Sequence, residues 1–206
     1  MNTFLATSIS LANEISSVAD LVGAAAVTVA RAMRLDERIG PKARVGPGLG
    51  FAGGTLARDV TTLIGIGRAA GKPALLAEAV LEVNHRQAEW PLRRLKSQLD
   101  LAKATVGILG LTYTVGTSTL RRSQSVQLVK ALIERGARVR AHDPEADLSE
   151  LDEPLDLMRA DTSYIAADGC DAMVLMTPWP EYLSLDWSQI AHAMKGKSIF
   201  SGPNPL

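Results

Sequence analysis

The spacing of apolar residues changes near residue 101, and this change constrains the fold more than any other feature of the chain. Before it, apolar side chains recur every three or four residues, which is typical of amphipathic helices. After it, short apolar runs alternate with helical patterns, which is typical of a parallel sheet covered on both faces. The sequence therefore predicts an α/β protein with two domains, an all-helical one over residues 1–100 and a small Rossmann-like one over residues 101–206.

Helical patterns fill the predicted first domain. They cover residues 3–22, 24–34, 58–70 and 75–99. A glycine- and proline-rich loop over residues 39–54 separates the second pattern from the third. Pro91 lies inside the last pattern, where its ring should kink or restart the helix. An apolar stripe with Leu76, Val80 and Val83 predicts a homodimer through the 75–99 helix. Packing of this stripe, which also includes Gln87, inside its own chain is the alternative.

Strands and helices alternate in the predicted second domain. Strands are expected at residues 105–111, 138–142, 172–176 and 198–200, and helices at 126–135 and 187–194. Gly107 and Gly110 have the spacing that begins a dinucleotide-binding fingerprint, but the third glycine is absent. This partial motif is weak evidence for NAD.

Charge and composition exclude several classes of protein. Lys and Arg number 22, as do Asp and Glu, so no overall field favours nucleic acid or an acidic membrane surface. No apolar stretch predicts a membrane span, and no secretory leader is visible, so we expect a cytoplasmic protein. The single cysteine, Cys170, is expected to pack in the core. With three widely spaced histidines, no metal site is predicted.

Three segments have residue types suited to binding or catalysis, each with a structural alternative. The glycine loop over residues 46–54 precedes a helix, so its backbone amides suit a phosphate, although it could be a plain connector. The carboxylate of Asp59 suits a catalytic role. The structural alternative is a favourable interaction with the dipole of that helix. Arg121 suits phosphate recognition, or a solvated turn.

Six segments in order resemble UDP-glucose and GDP-mannose dehydrogenases. Residues 2–14, NTFLATSISLANE, are similar to the family helix NAFLATKISFxNE. Residues 36–42 resemble the family segment DxRIGPx, and residues 46–59 resemble the loop GPGFGGSCFPKD. Val83 and Asn84 match the VN of a long family helix. The other two matches are residues 141–144, similar to YDP, and residues 170–179, similar to ADAxVxxTxW.

The resemblance implies a fold and a function. It implies a helical central domain that forms a dimer and the active site, followed by a Rossmann-like domain that helps to bind a UDP- or GDP-linked sugar. Such enzymes oxidise the sugar with NAD, which a separate N-terminal domain binds, and usually supply polysaccharide biosynthesis. By the same resemblance, Asn13 and Asp59 are catalytic residues, and Gly53, Gly54 and Arg121 bind the substrate. No residue is assigned to NAD.

The departures from the family pattern affect residues to which the resemblance assigns chemical roles. Ser8 occupies the position of the family lysine, and Thr55 that of the cysteine nucleophile. Residues 113–123 lack the family lysine and both aspartates but keep Arg121. A thiolate forms near neutral pH, whereas a threonine hydroxyl needs an adjacent base.

Two functional hypotheses follow. The chain is part of an NAD-dependent nucleotide-sugar 6-dehydrogenase whose N-terminal NAD-binding domain lies on a longer or separate polypeptide. Alternatively, it is a non-catalytic nucleotide-sugar-binding or dimerisation module of the same descent. Either way, this chain alone is predicted to be inactive.

Overall fold

The computed structural model describes residues 1–52 and 54–202. The chain forms two compact units, Met1–Ala88 and Glu89–Leu206. The boundary therefore precedes the one expected near residue 100, so the last helical turns assigned to the first domain belong to the second unit. The α/β class, with helices first and a parallel sheet second, is confirmed.

Helices build the first unit. They are α1 (Asn2–Leu21), α2 (Ala26–Leu35), α3 (Thr55–Ala69) and α4 (Leu75–Ala88). The first helix contacts the other three. The hydrophobic core of this unit joins Ala6 of α1 to Val60 of α3 and Val80 of α4, with Phe51 of the glycine loop packed among them. Burial of these apolar side chains therefore ties the loop to α1, α3 and α4.

The predicted 75–99 helix is two helices, α4 and α5 (Trp90–Gln98), with Glu89 between them. Pro91 is the second residue of α5. A proline there costs no hydrogen bond, because the first N–H groups of a helix have no partner inside it. The predicted restart at Pro91 is confirmed.

A parallel sheet forms the centre of the second unit. Its strands are β1 (Thr105–Leu109), β2 (Arg138–His142), β3 (Met158–Arg159), β4 (Ala172–Leu175) and β5 (Ser198–Ser201), in the order β3-β2-β1-β4-β5. Four of these were predicted. The edge strand β3 has only two residues, both exposed, and therefore has no apolar run to reveal it.

Helices connect these strands. They are α6 (Gln124–Ile133), α7 (Ser163–Ala167), α8 (Pro180–Leu183) and α9 (Trp187–Ala193). Only α6 and α9 were predicted, because α7 and α8 span barely more than one turn each and show no helical period. The central strands β1 and β4 are buried along their whole length, which explains their continuous apolar sequence.

Candidate functional site

Asn13 joins α1 to the glycine loop. Its side chain is 1% exposed, and its Oδ1 accepts a 2.9 Å hydrogen bond from the backbone N–H of Gly48. Its Nδ2 has no hydrogen-bond partner among the residues that the structure describes. A buried amide donor without a partner lowers the free energy of unfolding by about 1–3 kcal/mol. Selection for stability alone would therefore not favour this arrangement. Asn13 thus lies against the loop, where the predicted site requires it.

Asp59 is the fifth residue of α3 and lies beyond its first turn, where an interaction with the helix dipole would be strongest. Its Oδ2 accepts a 2.7 Å hydrogen bond from Asn2 Nδ2, and its Oδ1 accepts one of 3.1 Å from Arg58 Nε. These hydrogen bonds, that of Asn2 foremost, lower the pKa of Asp59. The carboxylate is therefore ionised and links α1 to α3.

Thr55 and Gly54 stand where the glycine loop becomes α3. Thr55 is exposed and is the first residue of the helix, and Gly54 is its N-cap. The first N–H groups of a helix point outward and attract anions. Gly53, the other predicted loop residue, lies outside the described residues.

Ser8 carries no charge into the site. Its hydroxyl donates a 3.0 Å hydrogen bond to the carbonyl of Phe4 inside α1. The side chain lines a cavity of about 480 Å3 together with apolar residues and the cations Arg38, Lys42 and Arg44. Arg38 is paired with Asp36 at 2.7 Å. Positive charge thus surrounds this cavity although position 8 itself is neutral.

Buried polar side chains meet at the carboxyl ends of β1, β2 and β4. Asp143 Oδ2 accepts hydrogen bonds from the backbone N–H of Leu111 at 2.6 Å and of Thr112 at 2.9 Å. Trp179 Nε1 donates to the same oxygen at 3.2 Å. The sequence motifs containing Asp143 and Trp179 were noticed, but no contact between them was predicted. Strand order, which the sequence does not state, brings them together.

Arg121 is exposed on the loop between β1 and α6. The carboxylate of Glu150 braces this loop by accepting from Thr119 Oγ1 and from the Leu120 N–H, each at 2.8 Å. Both hydrogen bonds lower the pKa of Glu150, the backbone one more. Arg122 has a φ of 63°, which is rare for a residue with a side chain. Strain of this kind is concentrated at binding sites.

Cys170 belongs to the core of the second unit, as predicted. Its side chain is fully buried, and burial raises the pKa of the thiol to about 12. Its Sγ donates to the Ala166 carbonyl at 3.0 Å. Within residues 1–52 and 54–202, no three His, Cys, Asp or Glu side chains gather as a metal site would need. Over the same residues, no helix is long and apolar enough to cross a bilayer.

Both units match one protein family. Residues 1–86 match the central domain of the UDP-glucose/GDP-mannose dehydrogenase family, and residues 107–206 match its UDP binding domain. With these two matches in chain order and the fold described above, the chain belongs to the UDP-glucose/GDP-mannose dehydrogenase family.

Individual relatives agree with this assignment. The UDP-glucose 6-dehydrogenase AglM of Haloferax volcanii is 35% identical over 185 residues, which are 90% of this chain and 43% of that protein. TuaD, the UDP-glucose 6-dehydrogenase of Bacillus subtilis, is 33% identical over 98% of this chain and 44% of its own length. The solved UDP-glucose dehydrogenase of Pyrobaculum islandicum superposes with a TM-score of 0.86 at 32% identity, covering 98% of this chain and 45% of that one. The chain thus spans less than half the length of these relatives.

Proposed function

We propose that this chain supplies the nucleotide-sugar-binding parts of an NAD-dependent 6-dehydrogenase of the UDP-glucose type. The observation that carries the proposal is the contact between Asn13 and Gly48, because it joins two predicted site segments in one buried arrangement. The relatives named above, which are UDP-glucose dehydrogenases, support UDP-glucose as the substrate to test first.

In this proposal, binding does not need a thiol, but oxidation to the acid does. The second oxidation of such a sugar proceeds through a thioester on a cysteine. The only cysteine of the chain, Cys170, is buried in the second unit and does not belong to the glycine loop. At Thr55 a hydroxyl takes the place of that thiol. The chain is therefore expected to bind the sugar nucleotide without completing its oxidation.

The partial dinucleotide fingerprint at Gly107 and Gly110 does not fit NAD. A bound pyrophosphate would need free backbone N–H groups in the turn after β1. Those of Leu111 and Thr112 donate to Asp143 instead. Gly110 has a φ of 90°, and a Cβ at this position would collide with Thr177. Backbone conformation and packing therefore explain why a glycine is present here. NAD is therefore assigned to none of the described residues.

A non-catalytic binding or dimerisation module is the second candidate function. The neutral Ser8, which leaves no charge to stabilise a developing alkoxide, favours it over a complete enzyme. The two candidates share the binding step and differ in turnover.

Titration calorimetry with UDP-glucose and GDP-mannose tests the proposed binding. We expect UDP-glucose to bind, and Arg121→Ala to weaken binding roughly ten- to a hundredfold, because one charge-assisted phosphate contact is lost. Arg135→Ala is the matched control, since it removes the same charge just beyond the far end of α6. If neither nucleotide sugar binds at millimolar concentration, or Arg121→Ala and Arg135→Ala behave alike, the proposal is wrong.

A further inference from the structure

Carboxamide side chains of α4 hold the middle of the glycine loop, residues 48–51. Asn84 Oδ1 accepts a 2.8 Å hydrogen bond from the Phe51 N–H, while Asn84 Nδ2 donates one of 2.9 Å to the Phe51 carbonyl. Gln87 Nε2 donates to the Gly48 carbonyl at 2.6 Å. Together with the bond from Gly48 to Asn13, both backbone groups of Gly48 and both of Phe51 are bound by carboxamides.

The shape of the loop matches this arrangement. Asn84 and Gln87 are three residues apart on α4 and therefore share one face of the helix. Gly50 has a φ of 87°, and a Cβ there would collide with Asn84 Oδ1. Phe51 is 6% exposed and belongs to the core of the first unit. The loop is thus held from its buried side by side chains that reach it from two helices.

The pair of hydrogen bonds between Asn84 and Phe51 requires a carboxamide side chain. One planar group must donate to a carbonyl and accept from an N–H at adjacent atoms. Aspartate has nearly the same shape but, when ionised, cannot donate, so its second oxygen would face the Phe51 carbonyl oxygen. A carboxamide also carries no charge, so the hold on the loop does not depend on pH.

We propose that Asn84 and Gln87 are positioning residues that preorganise the glycine loop for the diphosphate of the nucleotide sugar. This inference rests on the proposed function, since it presumes that the loop contributes to that ligand's site. The two side chains act through the backbone of the loop and not by touching the reacting atoms. Loop ordering that is complete before binding leaves a smaller entropy loss for the ligand to offset.

The test compares Asn84→Asp with His85→Asp. Both add one negative charge to neighbouring positions of α4, but His85 is exposed and is not one of the side chains that bond the backbone of Gly48 and Phe51. Amide hydrogen exchange read by NMR, thermal unfolding and calorimetry with UDP-glucose are measured on each full chain. For Asn84→Asp we expect amides of residues 48–52 to exchange at least about tenfold faster while those of α1 and α3 stay protected, and affinity to fall roughly tenfold. His85→Asp should match the parent.

Gln87→Leu is the second variant, in case Asn84→Asp does not fold. It removes only the bond to the Gly48 carbonyl, and we expect a smaller change of the same kind. A double-mutant cycle of Asn84→Ala and Gly50→Ala adds a readout that general destabilisation would not reproduce. Both changes disturb the same contact. The loss of affinity in the double variant should therefore be smaller than the sum of the losses in the two single variants.

The outcomes separate this inference from the proposed function. If the parent binds no nucleotide sugar, the proposed function fails, and exchange at residues 48–52 alone decides whether Asn84 holds the loop. If exchange accelerates but affinity is unchanged, the loop is held without serving the ligand, and positioning is overturned. Unchanged exchange in both Asn84→Asp and Gln87→Leu, or additive effects in the cycle, also overturns it.

Discussion

Thr55 is exposed at the first position of α3. By the resemblance of the glycine loop, it is proposed to stand where the family has its cysteine. A threonine hydroxyl attacks a carbonyl only when a nearby base removes its proton. In sequence, its neighbours Gly54 and Leu56 cannot act as bases, and the nearest carboxylate, Asp59, is hydrogen-bonded to Asn2 and Arg58.

Thr55→Cys should create a reactive thiol without creating an oxidase. A thiol at a helix N-terminus has a lowered pKa, so a disulfide reagent should label about one equivalent rapidly in the native variant. The parent should stay unlabelled until it unfolds, because Cys170 is buried and its thiol pKa is raised to about 12.

NADH formation with UDP-glucose should nevertheless stay at background in Thr55→Cys, because Ser8 provides no charge for the developing alkoxide. Enzyme-dependent NADH formation in this single variant would show that Ser8 and Thr55 were assigned the wrong roles. Rapid labelling of the parent would contradict the placement of Cys170.

At the scale of elements, several buried side-chain hydrogen bonds meet at the carboxyl ends of β1, β2 and β4. His142, the last residue of β2, is 9% exposed and its Nδ1 lies 2.9 Å from Tyr182 Oη. Tyr182 uses its single proton to donate to the His142 carbonyl at 2.9 Å. Tyr182 thus contacts both the ring and the backbone carbonyl of His142.

Burial should make His142 a source of acid sensitivity. Burial lowers the pKa of His142 below 6.5, and the Glu181 carboxylate opposes this shift only in part. The unfolded chain then binds more protons than the folded one near pH 6, so the free energy of unfolding should decrease as the pH falls below about 6.5. His142→Gln should flatten this slope between about pH 7 and pH 5 in urea titrations.

The exposed His85 gives the control for that slope. His85→Gln should keep the parent's dependence on pH. Equal slopes for the parent and His142→Gln would show that protonation of His142 does not oppose folding. Loss of stability at still lower pH has other sources, because Asp59 and Glu150 have lowered pKa values and lose their hydrogen bonds only when protonated.

At the scale of the whole molecule, the predicted homodimer remains a proposal, but the helix 75–99 is no longer the best candidate for its interface. Of the stripe predicted on the 75–99 helix, Val80 is 4% exposed inside the first unit, and Gln87 binds the Gly48 carbonyl. Leu76 alone is strongly exposed, at 68%. Most of this stripe therefore packs within its own chain, which was the alternative interpretation.

The outer face of α1 is a better candidate for that dimer. Phe4, Leu11 and Val18 follow each other at intervals of seven and are 75%, 47% and 55% exposed. Sedimentation velocity at tens of micromolar should show a dimer, and Leu11→Lys with Val18→Lys should give monomers. Leu63→Lys, which changes an exposed apolar residue of α3, is the control. A monomeric parent, or a dimer in the double variant, would contradict this.

Much of the fold could be predicted from the sequence because it depends on local periodicity. The spacing of apolar residues located α1 to α6, α9 and four of the strands, and Gly136 with a φ of 80° follows α6 as a glycine at a helix end should. The short β3, α7 and α8 were missed, since a few residues cannot show a period.

The candidate site divides in the same way. Residue types and their order by themselves predicted the class of ligand, the loop proposed to bind it, and the absence of a thiol and a lysine at the positions that the family resemblance indicates. Only the tertiary structure decided that Asn84 and Gln87 hold that loop, that Asp59 is bound by Asn2, and that Trp179 meets Asp143. The physical reason is that a hydrogen bond between residues far apart in the chain depends on how helices and strands pack, whereas periodicity and loop composition are properties of neighbouring residues.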